Sequence, residues 1–140
     1  MNPLHEKLQR YYEEMGDLRE RALDRLGDYF SEDVHFRDPF RNTYGLPALH
    51  ELFVRWFKRY RTISFTNVRG AGDDVHFTLR YDRNVRMRFG PWFVAPMASI
   101  CTAEDGKVVE LEDYYDMEGV FVSPFRRLRA ARVGMVNAFF

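Results

Sequence analysis

Between Thr62 and Met117 the chain holds four strand-like runs in succession, and this half of the sequence limits the possible folds more than any other feature. The runs lie at about Thr62 to Arg69, Val75 to Phe89, Trp92 to Thr102 and Lys107 to Met117. Turn signals such as Gly70-Ala71-Gly72-Asp73 and Glu104-Asp105-Gly106 separate them, with glycine and short acidic residues supplying tight reversals. Consecutive hairpins predict an antiparallel, curved sheet.

Such a sheet needs a cover, and the first part of the chain supplies one. Leu4, Leu8, Tyr11, Tyr12 and Met15 recur at helical intervals, as do Leu18, Ala22, Leu26, Tyr29 and Phe30, with a break expected at Gly16 and Asp17. After a strand around Asp38, Gly45 and Pro47 open an amphipathic helix whose stripe is Leu49, Leu52, Phe53, Trp56, Phe57 and Tyr60. A last helix is expected from Ser123 as N-cap and Pro124 as first helical residue, either closing the open end of the sheet or serving a partner subunit. Helices on one face of an antiparallel sheet make a single α+β layer structure, and one domain spans residues 1–140.

Composition sets limits on partners. With 46% hydrophobic and 16% aromatic residues, 140 residues suffice for one substantial core with a pocket. Basic and acidic residues balance at 21 each, so no overall field favours nucleic acid. The single Cys101 excludes an internal disulfide, and no charged start followed by an apolar segment marks export or a membrane span, so the cytoplasm is the expected location. His5, His35, His50 and His76 are scattered without ligand spacing, and neither a metal nor a cofactor is predicted.

Asp38 is the first candidate for chemistry. In Val34-His35-Phe36-Arg37-Asp38-Pro39, strand alternation puts it beside Val34 and Phe36, aimed at an apolar interior. A buried carboxylate must be paired, hydrogen-bonded or held with a raised pKa for use as a base. The alternative is a cap on the turn before Pro39 through local backbone hydrogen bonds. Both readings stand on this segment alone.

Helices, an Asp-Pro-bearing strand, a further helix and a meander ending in Gly106-Lys107-Val108-Val109-Glu110-Leu111-Glu112-Asp113-Tyr114-Tyr115-Asp116 resemble the nuclear transport factor two-like superfamily, which includes the SnoaL-like polyketide cyclases, ketosteroid isomerases and limonene epoxide hydrolases. The resemblance covers nearly the whole chain. It implies a cone-shaped, curved antiparallel sheet with the N-terminal helices packed on its concave face, enclosing a deep apolar cavity, and it implies a homodimer. The fold hosts enzymes, binding modules and transport adaptors alike.

By resemblance to the ketosteroid isomerases, Asp38 before Pro39 occupies the place of the general base and Tyr11 that of an oxyanion donor. Their second oxyanion donor is an acid, and Pro96, Met97, Ala98 and Ser99 offer none. By resemblance to limonene epoxide hydrolase, Arg80-Tyr81-Asp82 and Asp113 form a carboxylate-arginine-carboxylate set, in which one acid activates water and the other protonates the opening epoxide. Phe36 and Asp38 replace the residues that hold the water there. Strand parity permits Arg80, Asp82 and Asp113 to share a face; it equally permits Val75, Phe77, Leu79 and Tyr81 to line the interior, leaving the charges in solvent.

Phe36, Trp56, Tyr60, Trp92 and Tyr115 suit the wall of a pocket for a small hydrophobic molecule, or a packed core. The sequence therefore predicts a small-molecule-binding protein, an acid-base enzyme of isomerase, cyclase or epoxide-hydrolase type acting on a hydrophobic carbonyl or epoxide compound. The competing class is a non-catalytic ligand-binding or dimerisation module.

Overall fold

The computed structural model describes residues 2–90, 92–116 and 126–139. Helix α1 (Leu4–Leu18) buries Leu4, Leu8, Tyr11, Tyr12 and Met15, the stripe that the helical spacing predicts. It continues through Gly16, which is needed for contact and not for a break: a Cβ there would lie 2.8 Å from the Ser64 Cβ. The break falls at Arg19, whose φ is 53°, and a 3-10 helix (Arg19–Arg25) leads into the single turn α2 (Leu26–Tyr29). Strand β1 (Phe30–Arg37) follows, then a short β2 (Asn42–Tyr44) that the sequence did not announce.

Helix α3 (Leu46–Arg59) opens after Gly45, at φ 94°, with proline in its first turn, and buries Leu49, Leu52, Phe53, Trp56 and Phe57. Tyr60 begins the next strand instead of ending the helix. The four predicted runs are β3 (Tyr60–Gly72), β4 (His76–Met87), β5 (Trp92–Glu104) and β6 (Lys107–Tyr115). Helix α4 (Arg126–Phe139) leaves Val133, Met135 and Val136 exposed; the expected cap at Ser123 and Pro124 lies outside the described residues, as does Met117.

The six strands form one sheet in the order β2-β1-β6-β5-β4-β3. Every neighbouring pair is antiparallel except β1 and β6, which run parallel, so the sheet is mixed where hairpin logic alone predicts an antiparallel one. A hairpin pattern reports only pairs that are adjacent in sequence, and β1 finds its partner across most of the chain. The α+β class and the placement of the N-terminal helix on the sheet's inner face are as expected. There Tyr12 meets Phe65 and Tyr81, with ring centroids 5.4 and 5.3 Å away, and Phe65 meets Tyr81 edge-on at 5.5 Å. Each such aromatic side chain contributes about 2 to 3 kcal/mol by leaving water.

Candidate active site

Alternation along three neighbouring strands decides which polar groups enter the interior. On β4 the buried residues are Phe77, Leu79, Tyr81, Arg83 and Val85, so Arg83 takes an inner position from the strand's parity. On β5 they are Ala95, Met97, Ser99, Cys101 and Ala103, and on β6 they include Leu111 and Asp113, with Tyr115 half-buried at the strand end. The β5–β6 register sets Ser99 directly opposite Asp113. Among uniformly apolar neighbours, Arg83, Ser99 and Asp113 are thus the polar members of their parity sets.

A line of hydrogen bonds joins three of these groups. The Ser99 hydroxyl donates to Asp113 Oδ1 at 2.5 Å, and the Tyr81 hydroxyl lies 3.1 Å from Ser99 Oγ. Since serine has one hydrogen and spends it on Asp113, Tyr81 is the donor to Ser99. Burial pushes the Asp113 carboxyl up from 3.8 to about 7, the nearby negative charge of Asp38 adds to this, and the Ser99 bond and the Arg83 charge oppose it. Burial likewise lifts the Tyr81 and Tyr12 phenols well above the ordinary tyrosine range, and lifts the Cys101 thiol. An acid with a pKa near neutrality holds and releases protons at working pH, as acid-base chemistry requires.

Arg83 stands beside this acid without a hydrogen bond or ion pair to any described residue. Its guanidinium carbon is 5.6 Å from the Trp56 ring centroid and 5.4 Å from that of Tyr115, so the cation lies over two aromatic faces contributed by α3 and β6. Its Nε is buried and has no hydrogen-bond partner among the described residues.

Asp38 is buried with Val34 and Phe36, as parity predicts, but its oxygens are fully engaged in the turn after β1. Oδ1 accepts from the backbone N–H groups of Phe40 and Arg41 at 2.8 and 2.7 Å, and Oδ2 accepts from Arg41 Nη1 at 2.8 Å. Of the two readings of this residue, the geometry is that of the turn cap.

The other predicted site residues divide. Arg80 and Asp82 do not share a face with Asp113: Arg80 is exposed, and Asp82 accepts from Asn67 Nδ2 at 2.8 Å on the outer side of the sheet. The parity that buries Tyr81 and Arg83 turns both away. Tyr11 is buried, and its hydroxyl donates to the Ala22 carbonyl at 2.7 Å while its ring stacks on Tyr29 at 4.3 Å, so it ties α1 to the 3-10 helix instead of facing Asp113. Trp92 is 70% exposed and lies with Thr62, Asn84 and Arg86 at an open depression of about 330 Å³, away from the inner face. Phe36 is in the core, Tyr60 is half-buried against it, and Trp56 and Tyr115 flank Arg83. Sequence reading missed Arg83 and Ser99; the available signal was that each interrupts an apolar alternation, Phe77-Leu79-Tyr81 with Val85 and Ala95-Met97 with Cys101-Ala103.

The chain matches the SnoaL-like domain family over residues 8–111, from α1 into β6. The chain belongs to the SnoaL-like family. Solved structures with the same fold include a putative polyketide cyclase from Xanthomonas campestris, at 16% identity and TM-score 0.75 over 86% of this chain and 96% of that one. An epoxide hydrolase of limonene-epoxide-hydrolase type from Mycobacterium tuberculosis is similar at 16% identity and TM-score 0.65, over 91% and 96% of the two chains. A Catenulispora acidiphila protein with a ketosteroid isomerase-like fold, solved with trimethylamine, is similar at 17% identity and TM-score 0.69, over 81% and 87%. Comparison with curated proteins returns no match.

Within this SnoaL-like domain, the site gathers an acid titrating near neutrality, a hydroxyl relay behind it and a cation beside it. Among the described residues no group of three or more His, Cys, Asp or Glu is placed to hold a metal ion, and no helix is long and apolar enough to cross a membrane.

Proposed function

We propose that this SnoaL-like domain binds a small hydrophobic molecule between α3 and the ends of β1 and β6, and transfers a proton to or from it through Asp113. The observation that carries this reading is the Asp113 carboxyl itself, buried, hydrogen-bonded only to Ser99 among the described residues, and pushed up to about 7. A carbonyl or epoxide compound suits such a group: protonated, it donates to oxygen as charge develops there, and ionised, it abstracts a proton or activates water. Ser99 and Tyr81 fix the orientation of Oδ1 and leave Oδ2 for the substrate. Arg83 steadies negative charge that forms nearby. Polyketide-like phenols, steroid ketones and terpene epoxides are the classes to assay, and Asp113→Asn separates the outcomes. Turnover that disappears while ligand binding persists supports proton transfer; unchanged turnover removes Asp113 from the mechanism.

The competing reading, an interaction module, draws on the outer face of β5, where Val94, Pro96, Ala98 and Ile100 are exposed next to Tyr114. An open groove of about 600 Å³ runs along this face. A second copy of the chain is the proposed occupant, since two such sheets are mutually complementary in apolar character. Sedimentation of the protein and of Ile100→Glu tests it: a dimer dissociated by the substitution supports the interface, and a monomer in both overturns it.

A further inference from the structure

Arg83 sets an electrostatic problem, because no carboxylate among the described residues forms an ion pair with it. Arg83 is only 5% exposed, and its Nε–H has no acceptor among the described residues. Buried guanidinium groups are ordinarily held by carboxylates in paired hydrogen bonds, because desolvating the cation without them is costly. Asp38 and Asp113 act on its surroundings, yet neither takes that role. Asp38 is paired with Arg41, and Asp113 is bonded to Ser99. Asp113 is moreover a poor counter-ion near neutral pH, since burial keeps much of it protonated.

The aromatic faces of Trp56 and Tyr115 explain how the cation is tolerated. Tyr115, one of the two rings over which the cation lies, is half-buried at the end of β6.

We propose that Arg83 is the receptor for a carboxylate carried by the ligand itself, so that the natural substrate is a flat, hydrophobic carboxylic acid. The ligand's two oxygens accept from Nε–H and an adjacent Nη–H in the geometry that a planar fork favours. Trp56 and Tyr115 hold the guanidinium group in place. The carboxylate fixes one end of the molecule, leaving a carbonyl or epoxide elsewhere on it to meet Asp113. This inference rests on the reading of the site as a small-molecule site, and it adds the ligand's charge.

Calorimetric titration of the full chain with 2-naphthoate and with its methyl ester tests it at fixed pH and ionic strength. The expected result is saturable one-to-one binding of the acid, with the ester weaker by about tenfold or more, as loss of a charge-assisted hydrogen-bonded pair implies. Arg83→Gln is expected to abolish the acid's advantage and leave the ester's binding where it was, and Arg83→Lys to restore part of the advantage. Equal binding of acid and ester, binding of neither, or an acid preference unchanged in Arg83→Gln overturns the proposal. The wild-type comparison stands even if a variant fails to fold. Asp113→Asn distinguishes the two readings: acid binding that survives while turnover is unaffected by this substitution keeps the carboxylate site and discards proton transfer. Loss of turnover with no preference for the acid does the reverse.

Discussion

The two buried carboxylates among the described residues, Asp38 and Asp113, lie on or just beyond neighbouring strands and are treated in opposite ways. Asp38, just beyond β1, receives two backbone N–H groups and an arginine, three donors for its two oxygens. Asp113, on β6, receives one hydroxyl among the described residues, and the nearest interior cation stacks on rings instead of pairing with it. Burial is nearly the same for both, so burial alone does not make an acid useful for chemistry. What differs is how much of the lost hydration the fold replaces. Replaced in full, the carboxylate fixes a turn; replaced in part, it keeps its proton to about pH 7 and remains available to a substrate.

The substitutions that test this contrast can be ordered by size. Asp113→Asn should lower kcat/KM by about 10²- to 10⁴-fold on any compound the protein turns over, the usual range for a lost acid-base group. Asp38→Asn should cost less than about tenfold, because its part is structural; a reversed order in steady-state assays would interchange the two roles.

The next effect is on stability against pH. The folded Asp113 has a raised pKa, so between its ordinary value of 3.8 and about 7 the folded chain holds a proton that the unfolded chain has released. Stability should therefore fall as pH rises through this window, by roughly a few kcal/mol, and stay low above it. Urea midpoints at pH 5 and pH 8 should show the fall in wild type and in Asp38→Asn, and a flatter response in Asp113→Asn. An equal fall in all three would mean that another group is responsible.

Smaller again, Asp38→Ala should destabilise the fold by about 1 to 3 kcal/mol in urea, since it strands two backbone donors and Arg41. Arg80→Ala, on the outer face, should change stability by no more than about 0.5 kcal/mol and leave turnover alone. A loss of activity in that variant would show that the outer side of β4 takes part after all.

These contrasts explain what the sequence made legible. The long strands announced themselves because each alternates and each ends at a glycine-bearing turn, and α1 and α3 announced themselves through continuous apolar stripes. Asp38 could be placed inside from Val34 and Phe36, whose parity is strongly apolar, whereas Asp113 stayed open between the interior and a charge cluster in solvent. The segment Arg80-Tyr81-Asp82-Arg83-Asn84 was different, with charges on both parities, so alternation carried little contrast there. Only the structure decided that Tyr81 and Arg83 face inward. Whether Asp38 was a base or a cap depended on Arg41 folding back, a local geometry that residue types alone leave open. The parallel partnership of β1 with β6 was beyond reach for a further reason, as nothing in either strand names a mate so distant.

That partnership has a consequence for the order in which the protein comes into being. Arg37 on β1 is bonded to Glu112 on β6, 75 positions later, so the pairing of these two strands closes a very long loop. Loop-closure entropy must be met before such a contact can repay it, which favours the local hairpins β3–β4, β4–β5 and β5–β6 as early structure. During synthesis on a ribosome, β1 waits with an open edge until nearly all of the described sheet has been made. Asp113 lies on the strand that ends this wait, so the proposed proton-transfer site and the completed sheet arise in the same step.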